Sequence, residues 1–130
     1  MRRLLRWCTL GALGFAAAAA CADPFGIADV LGVWNTQSIN GYAVPGTVLY
    51  EGIPYDTQYV RWTLYDGGQC TLTQLVDGIT ATFDECEYTV DPDRATITIV
   101  FLSEPWDGSV DGRSMTLTDP QDVAWVLHAQ

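Results

Sequence analysis

The stretch QCTLTQLVDGITATFDECEYTV, residues 69–90, decides the fold of this chain of 130 residues. Cys70 and Leu72 alternate with threonines, Asp77-Gly78 is a tight-turn signal, and Cys86 opens a second alternating run. This pattern predicts a β-hairpin that a disulfide between the two cysteines can staple.

The turn sets how the two cysteines face each other, and two registers are open. A three-residue loop, Asp77-Gly78-Ile79, places Cys70 opposite Cys86. A two-residue loop places Cys70 opposite Glu85, and a β-bulge then restores the pairing of the cysteines. Directly opposed residues are close enough for a disulfide, so we predict the Cys70–Cys86 bond.

The alternation of apolar and polar residues continues on both sides of this hairpin. It is clearest in Tyr59–Tyr65, Thr96–Phe101 and Val123–Leu127, and Asp-Gly and Asp-Pro turns separate the runs. A meander of such strands leaves two exposed edges unless the sheet closes. We therefore predict an all-β fold, an antiparallel up-and-down barrel of about eight strands.

Two stretches interrupt the alternation. Tyr42–Tyr55 contains two prolines and two glycines, so only Thr47–Tyr50 is expected to be extended and the rest is predicted to form a mobile flap. Ser103–Gly112 contains a proline and two Asp-Gly pairs and is predicted to be a loop.

The first 22 residues are predicted to be a secretory signal peptide, because arginines precede the apolar run Leu10–Ala20. Cys21 has two interpretations. Ala18–Cys21 resembles a bacterial lipobox, in which the cysteine becomes the lipidated first residue; cleavage after Ala22 would instead remove it. The first gives a lipoprotein of the cell envelope, and the second a soluble periplasmic or secreted protein.

The cysteine count agrees with export. Cys8 lies in the predicted signal peptide and Cys21 is lipidated or removed, which leaves an even pair for an oxidising compartment. Beyond the signal peptide, we predict a lead-in segment over 23–31 and one barrel domain over 32–130.

Charge excludes one class of partner. All sixteen Asp and Glu residues lie beyond residue 22, against three arginines and no lysine, which gives a net charge of −13. Nucleic-acid binding needs clustered Lys and Arg, so it is excluded. Anionic headgroups repel such a body, so membrane contact is expected only through the Cys21 anchor. The negative charge either keeps the protein soluble or attracts a cationic partner. We also predict that the protein is a monomer.

Five segments follow one another in an order and spacing typical of one family: GVWNTQSING at 32–41, TLYDGGQCTLT at 63–73, CEYTV at 86–90, ATITI at 95–99 and SMTLTD at 114–119. They resemble the small bacterial lipocalin-like domains of exported proteins. The resemblance implies an up-and-down barrel closed at one end by Trp34, without a fixed ligand. Lipocalins pack an arginine near the last strand over this tryptophan; 121–130 contain none, so that contact is not expected here.

Catalytic and metal-binding patterns are absent from the sequence. His128 is the only histidine, so it would have to act as the base of any Ser-His pair, and it is expected to be an exposed strand residue. Glu85 and Glu87 share a strand face, with Asp84 on the opposite face, and lack the ligand spacing of an EF-hand loop. We predict no enzyme activity, no cofactor and no metal site.

The aromatic residues are the remaining candidates for binding. An eight-stranded barrel is wide enough for packed side chains or for one small ligand. The first hypothesis is a module that binds a small apolar ligand in the barrel. The second is an envelope protein-interaction or protease-inhibitor module, and the third a structural lipoprotein with a filled core. The residues predicted to line the interior are Trp34, Trp62, Tyr88, Phe101 and Trp125.

Overall fold

The computed structural model of the protein describes residues 25–130, so the predicted signal peptide and Cys21 lie outside the described residues. The all-β prediction is confirmed, because a single turn of 3-10 helix, Ile27–Asp29, precedes a succession of strands. No helix in the described part is long and apolar enough to cross a membrane. The strands are β1 Gly32–Ile39, β2 Tyr42–Ala43, β3 Gly46–Tyr50, β4 Ile53–Leu64, β5 Cys70–Val76, β6 Ile79–Phe83, β7 Cys86–Asp91, β8 Thr96–Phe101, β9 Glu104–Asp111, β10 Ser114–Thr118 and β11 Ala124–Ala129.

The strands form one antiparallel sheet that curls into a half-barrel. Nine of them lie along its main path, in the order β6, β5, β4, β1, β11, β10, β9, β8, β7, where the sequence predicts about eight. The short strands β2 and β3 pair with β1 and β4 off this path. The path therefore begins and ends with β6 and β7, two strands that are consecutive in the chain. We call the place where β7 follows β6 along the edge of β5 the seam.

The turn at Asp77-Gly78 forms the two-residue register. Val76 lies opposite Ile79, and both turn residues have positive φ, 52° and 77°. This is the geometry of a type I′ turn, whose twist suits a β-hairpin. The hairpin therefore consists of β5 and β6 and ends at Phe83.

The returning strand is interrupted at Asp84-Glu85, and Cys86 begins β7, which pairs with β8. The start of β7 still returns beside β5, because Leu72 lies opposite Phe83 and Gln69 lies opposite Glu87. One extra residue on the returning side acts as the β-bulge that the two-residue loop requires to bring Cys86 to Cys70.

The Cys70–Cys86 disulfide itself is confirmed, and it joins the first residues of β5 and β7 with their Cα atoms 4.9 Å apart. Beside it, Gln69 and Glu87 form an isolated antiparallel bridge, and the Tyr88 N–H donates to the Gly68 carbonyl at 2.9 Å. Within 25–130, one edge of β5 therefore pairs first with β6 and then, at its first residues, with the start of β7, so β6 and β7 follow one another along this edge.

Both stretches predicted to be irregular contain strands. Tyr42–Tyr55 forms β2, β3 and the start of β4, and Pro54 is tolerated because β5 pairs with β4 only from Thr57 onward, which leaves one side of that segment unpaired. In Ser103–Gly112, the strand β9 occupies nearly the whole predicted loop.

The inward face of the sheet carries one apolar core. The lead-in segment contributes to it, because Phe25 and Val30 are buried with Trp34, and the Trp34 Nε1–H donates to the Val30 carbonyl at 2.9 Å. Gly32 pairs with Leu64, which pairs with Cys70, so this plug lies at the disulfide end of the sheet.

Replacing both Cys70 and Cys86 by alanine should lower the free energy of unfolding by about 3 kcal/mol, because the bond closes a loop of 16 residues. Urea denaturation of the oxidised protein, the reduced protein and the double variant measures this. Reduction should destabilise the natural chain and leave the variant unchanged; equal stability of all three would contradict the covalent closure.

Candidate functional site

Part of the predicted aromatic set meets inside the half-barrel. Trp62 contacts Phe101 and Trp125 edge to face, with ring centroids 5.3 and 6.2 Å apart. Trp106 lies 5.1 Å from Trp62 and 5.0 Å from Trp125, and Phe83 lies 5.7 Å from Phe101. Edge-to-face contacts of this kind stabilise a packed interior. These five residues form what we call the aromatic cluster.

Two members of the cluster, Trp106 and Phe83, are not predicted from the sequence to line the interior. Trp106 is missed because Pro105 and Asp107-Gly108 predict a loop where the structure has β9. Phe83 is hidden because the alternating run is taken to continue to Cys86 across the bend at 84–85. The available signal for Trp106 was its alternation with later apolar residues of the same segment.

The other two predicted residues, Trp34 and Tyr88, make no ring contact with the cluster among residues 25–130. Trp34 belongs to the plug, and the Tyr88 hydroxyl donates to the Tyr65 carbonyl at 2.7 Å. Burial, and then the charge of Asp66, raise the pKa of Tyr88. Tyr88 therefore fixes the β4–β5 turn to β7 beside the disulfide.

Gly108 shows how closely the interior is packed. A Cβ atom there would lie 2.5 Å from the Thr116 carbonyl oxygen and 2.6 Å from the Leu117 Cδ2. Gly108 pairs with both Ile97 and Leu117. Because glycine has no side chain, the Ile97 and Leu117 side chains can occupy the space above it. Close packing at this point favours a structural role for the neighbouring aromatic rings.

Two polar atoms of the interior have no hydrogen-bond partner among residues 25–130. They are Trp62 Nε1 and Thr36 Oγ1, and both side chains are buried. A buried polar group without a partner is unfavourable by about 1–3 kcal/mol. An N–H and a hydroxyl are also the groups that a ligand with a hydrogen-bond acceptor would meet inside the barrel.

Asp119 fixes the cluster from the turn between β10 and β11. Its Oδ2 accepts hydrogen bonds from the Tyr50 hydroxyl at 2.6 Å and from Trp125 Nε1 at 3.0 Å. Its Oδ1 accepts the backbone N–H groups of Gln121 and Val123 at 2.9 and 3.0 Å. The carboxylate is only 4% exposed, so these donors take the place of water.

The same contacts change the ionisation of Tyr50. Burial, and then the hydrogen bond to Asp119 and its charge, raise the pKa of the Tyr50 hydroxyl well above its ordinary value. Tyr50 therefore stays a neutral donor over a wide pH range and links β3 to the turn that positions Trp125.

A cleft of about 540 Å³ lies on the outer surface at the seam, beside the disulfide. Three carboxylates line it, those of Asp84, Glu85 and Glu87. The prediction that Asp84 faces away from the other two is wrong, because residues 84–85 lie outside the strands and the alternation stops there. The remaining lining residues are Tyr65, Gln69, Cys70, Thr71, Cys86, Val100 and Ser103.

No arginine of the described chain lines this cleft. The Arg61 guanidinium lies 4.0 Å from the Tyr59 ring centroid, and Arg113 donates to the Ala129 carbonyl at 2.8 Å. Arg94 forms a 4.0 Å ion pair with Asp91. Within residues 25–130 no three metal-ligating side chains converge, so the cleft carboxylates do not form a metal cluster.

His128 is exposed on β11, opposite Ser114 on β10 and Asn35 on β1. Among the described residues no hydrogen bond joins its imidazole to Ser114, although the two residues are cross-strand neighbours. The pair is therefore not arranged as a nucleophile and its base.

No family model, curated protein or solved structure matches the chain. The resemblance to lipocalin-like domains therefore rests on the five sequence segments and stays a prediction.

Replacing Asp119 by asparagine should destabilise the fold by about 1–3 kcal/mol, because the amide nitrogen cannot accept the bond from Tyr50 or Trp125. Thermal unfolding followed by tryptophan fluorescence measures the loss. The control is Asp122→Asn, an exposed carboxylate three residues later, which should change stability by less than about 0.5 kcal/mol. Equal effects of the two changes would contradict the role given to Asp119.

Proposed function

We propose that the chain is the lipocalin-like barrel of an exported, non-enzymatic protein that binds a cationic segment of a protein partner in the seam cleft. The observation that carries this proposal is the cleft itself, with about 540 Å³ of space, three carboxylates and no arginine in its wall. Binding pockets in proteins are commonly of this size. Unpaired carboxylates in such a wall favour a positively charged occupant.

The other lining residues of the cleft favour a basic side chain over a simple ion as its occupant. Tyr65 and Val100 are 47% and 40% exposed and add apolar surface beside the carboxylates. Lysine and arginine combine an apolar stem with a cationic head, so they match both parts of the lining.

The charge of the whole chain supports the same partner. Beyond residue 22 it carries sixteen carboxylates and three arginines, and those arginines make contacts elsewhere. A strongly negative body raises the encounter rate with a basic protein and repels anionic membranes.

Export and lipidation belong to this proposal. The disulfide supports an oxidising compartment, since such bonds are rare in the cytosol. The predicted signal peptide supports the same compartment, and the lipobox-like Ala18–Cys21 supports an envelope lipoprotein.

The cleft is tested with a fluorescent oligolysine peptide at low ionic strength. Changing Glu85 and Glu87 together to glutamine should weaken binding about tenfold or more, and salt should weaken binding to the natural chain. The matched control changes Asp107 and Asp111 to asparagine, which removes two charges from exposed positions of β9 outside the cleft. Equal affinities of the two variants would contradict a specific cleft.

A second candidate is the binding of a small, largely apolar ligand inside the barrel. The observation that favours it is the unpartnered pair of buried polar atoms on Trp62 and Thr36. A ligand mass in native mass spectrometry of protein purified from its own host, lost in Trp62→Phe, would support it. Consistently empty protein would instead favour a filled core, as in a structural lipoprotein.

A further inference from the structure

We propose that a segment of the protein partner adds as a strand to the outer edge of β6, antiparallel to it, and carries basic residues at its N-terminal end that enter the seam cleft. This inference rests on the proposed function and specifies its partner. It adds backbone pairing, with a defined chain direction, to the charge interaction of the cleft.

The outer edge of β6 is unpaired among residues 25–130. β6 pairs in a ladder with β5 alone and lies at one end of the sheet path. In a hairpin with a two-residue turn, the residues that flank the turn, Val76 and Ile79, exchange backbone hydrogen bonds. Hydrogen-bonding direction alternates along an antiparallel strand, so the backbone N–H and C=O groups of Thr80 and Thr82 point away from β5. A free edge of this kind is a template for an added strand.

β6 also lacks the features that protect an edge strand. Its five residues, ITATF, include no charged residue and no proline, although the chain as a whole is strongly acidic. Charged side chains and prolines are the usual means by which natural proteins prevent pairing at an edge. The edge of β6 therefore suits an uncharged run of about the same length.

Apolar side chains on the inward face of β6 are incompletely covered. Phe83 lies opposite the buried Leu72, and Ala81 and Ile79 alternate onto the same face. Phe83 and Ala81 are half-buried, whereas Ile79 is 68% exposed. Apolar residues at alternate positions of an added strand would lie opposite these three side chains and remove them from water.

The turn between β8 and β9 fixes where the added strand ends. β7 follows β6 along the edge of β5, and β8 pairs with the other edge of β7. An added strand on β6 would therefore lie in line with β8. The Leu102 N–H donates to the Glu85 carbonyl at 2.9 Å and takes the next pairing position. The bound segment therefore pairs along Ile79–Phe83 and leaves the sheet beside Asp84.

The seam cleft lies at this end of β6. Asp84 and Glu85 line it together with Ser103 of the β8–β9 turn. The ladders of the described sheet are antiparallel, and antiparallel pairing is slightly the more stable kind. Because β6 runs toward the cleft, an antiparallel segment has its N-terminal end there. Residues that precede its paired run meet the carboxylates and are expected to be lysine or arginine.

The opposite end of β6 attracts a basic residue less. The Asp77 carboxylate accepts the Asp56 N–H at 2.7 Å, and the Asp56 carboxylate accepts the Gln58 side-chain amide at 3.0 Å. Both acidic groups at that end therefore already have hydrogen-bond donors, which favours basic residues at the cleft end of the segment.

A second copy of this chain fits the edge poorly. Two β6 strands paired antiparallel about Ala81 would place Asp84 of each copy beside the Asp77-Gly78 turn of the other. Like charges on neighbouring strands destabilise their pairing. β6 is also followed and preceded by acidic residues, so a second copy supplies no basic end for the cleft.

Two synthetic peptides with blocked termini test the inference on the full chain by calorimetry at low ionic strength. The first has two lysines followed by alternating valine and threonine over the length of β6. The second is the same sequence reversed, which places the lysines at the C-terminal end. The first should bind about tenfold more tightly, and its binding should slow amide exchange at Thr80 and Thr82.

A variant of β6 tests the backbone pairing separately. Thr82→Pro removes an amide that points away from β5, and proline is tolerated at such a position of an edge strand. It should weaken binding of the first peptide about tenfold. The matched control Thr82→Val also loses the 3.2 Å hydroxyl contact with Thr73 but keeps the amide, so it should bind as the natural chain does. If Thr82→Pro does not fold, N-methylation of the first peptide at alternate residues removes the same pairing from the partner's side.

The outcomes separate this inference from the proposed function. Equal binding of the two peptides, both weakened by Glu85→Gln with Glu87→Gln, would overturn strand addition and leave the acidic cleft standing. Tighter binding of the reversed peptide, or undiminished binding to Thr82→Pro, would overturn the inference too. Binding of the first peptide that ignores the glutamate changes would overturn the proposed function and, with it, the basic end of the segment. Self-association of the free protein in sedimentation, abolished by Thr82→Pro, would make a second copy the occupant and overturn the inference.

Discussion

The bond between Cys70 and Cys86 is the constraint on which the rest of this structure depends, because it holds together strands near the two ends of one long sheet. The chain crosses between those ends through two residues, Asp84 and Glu85, which are too few to span an open, flat sheet of nine strands. The sheet must therefore curl. The bridge between Gln69 and Glu87 then pairs the start of β7 with the same edge of β5 that carries β6.

Curling brings distant strands face to face and creates the interior. Trp62 on β4 meets Trp106 on β9 and Trp125 on β11, although β9 and β4 are separated by three strands in the sheet. Asp119 fixes Trp125 from the opposite end of the molecule to the plug around Trp34. Because the interior is occupied by interlocking rings, our proposal places recognition in the cleft on the outer surface, where two of the three carboxylates, Asp84 and Glu85, belong to the crossing residues.

The single strands and the opposition of the two cysteines could be predicted from the sequence, and the contacts between strands distant in the chain could not. Alternation and Asp-Gly turns predict most strands and the disulfide, because both depend on residues close in the chain. The interruption at Asp84-Glu85 is where the bulge required by the two-residue loop lies, although periodicity alone does not locate it. Trp106 is missed because Pro105 and the Asp-Gly pairs make the eight-residue strand β9 look like a loop. The cleft is missed because Tyr65, Glu87 and Val100 come together only where β7 follows β6 along β5.

The central claim, that the disulfide joins β7 to the same edge of β5 that carries β6, is tested most directly by amide hydrogen exchange of the free protein, residue by residue. The account predicts slow exchange at Tyr88, whose amide donates to Gly68, and fast exchange at Thr80 and Thr82, whose amides point away from β5. Exchange at Tyr88 as fast as at Thr80 would mean that β7 does not pair with β5, and would contradict this arrangement.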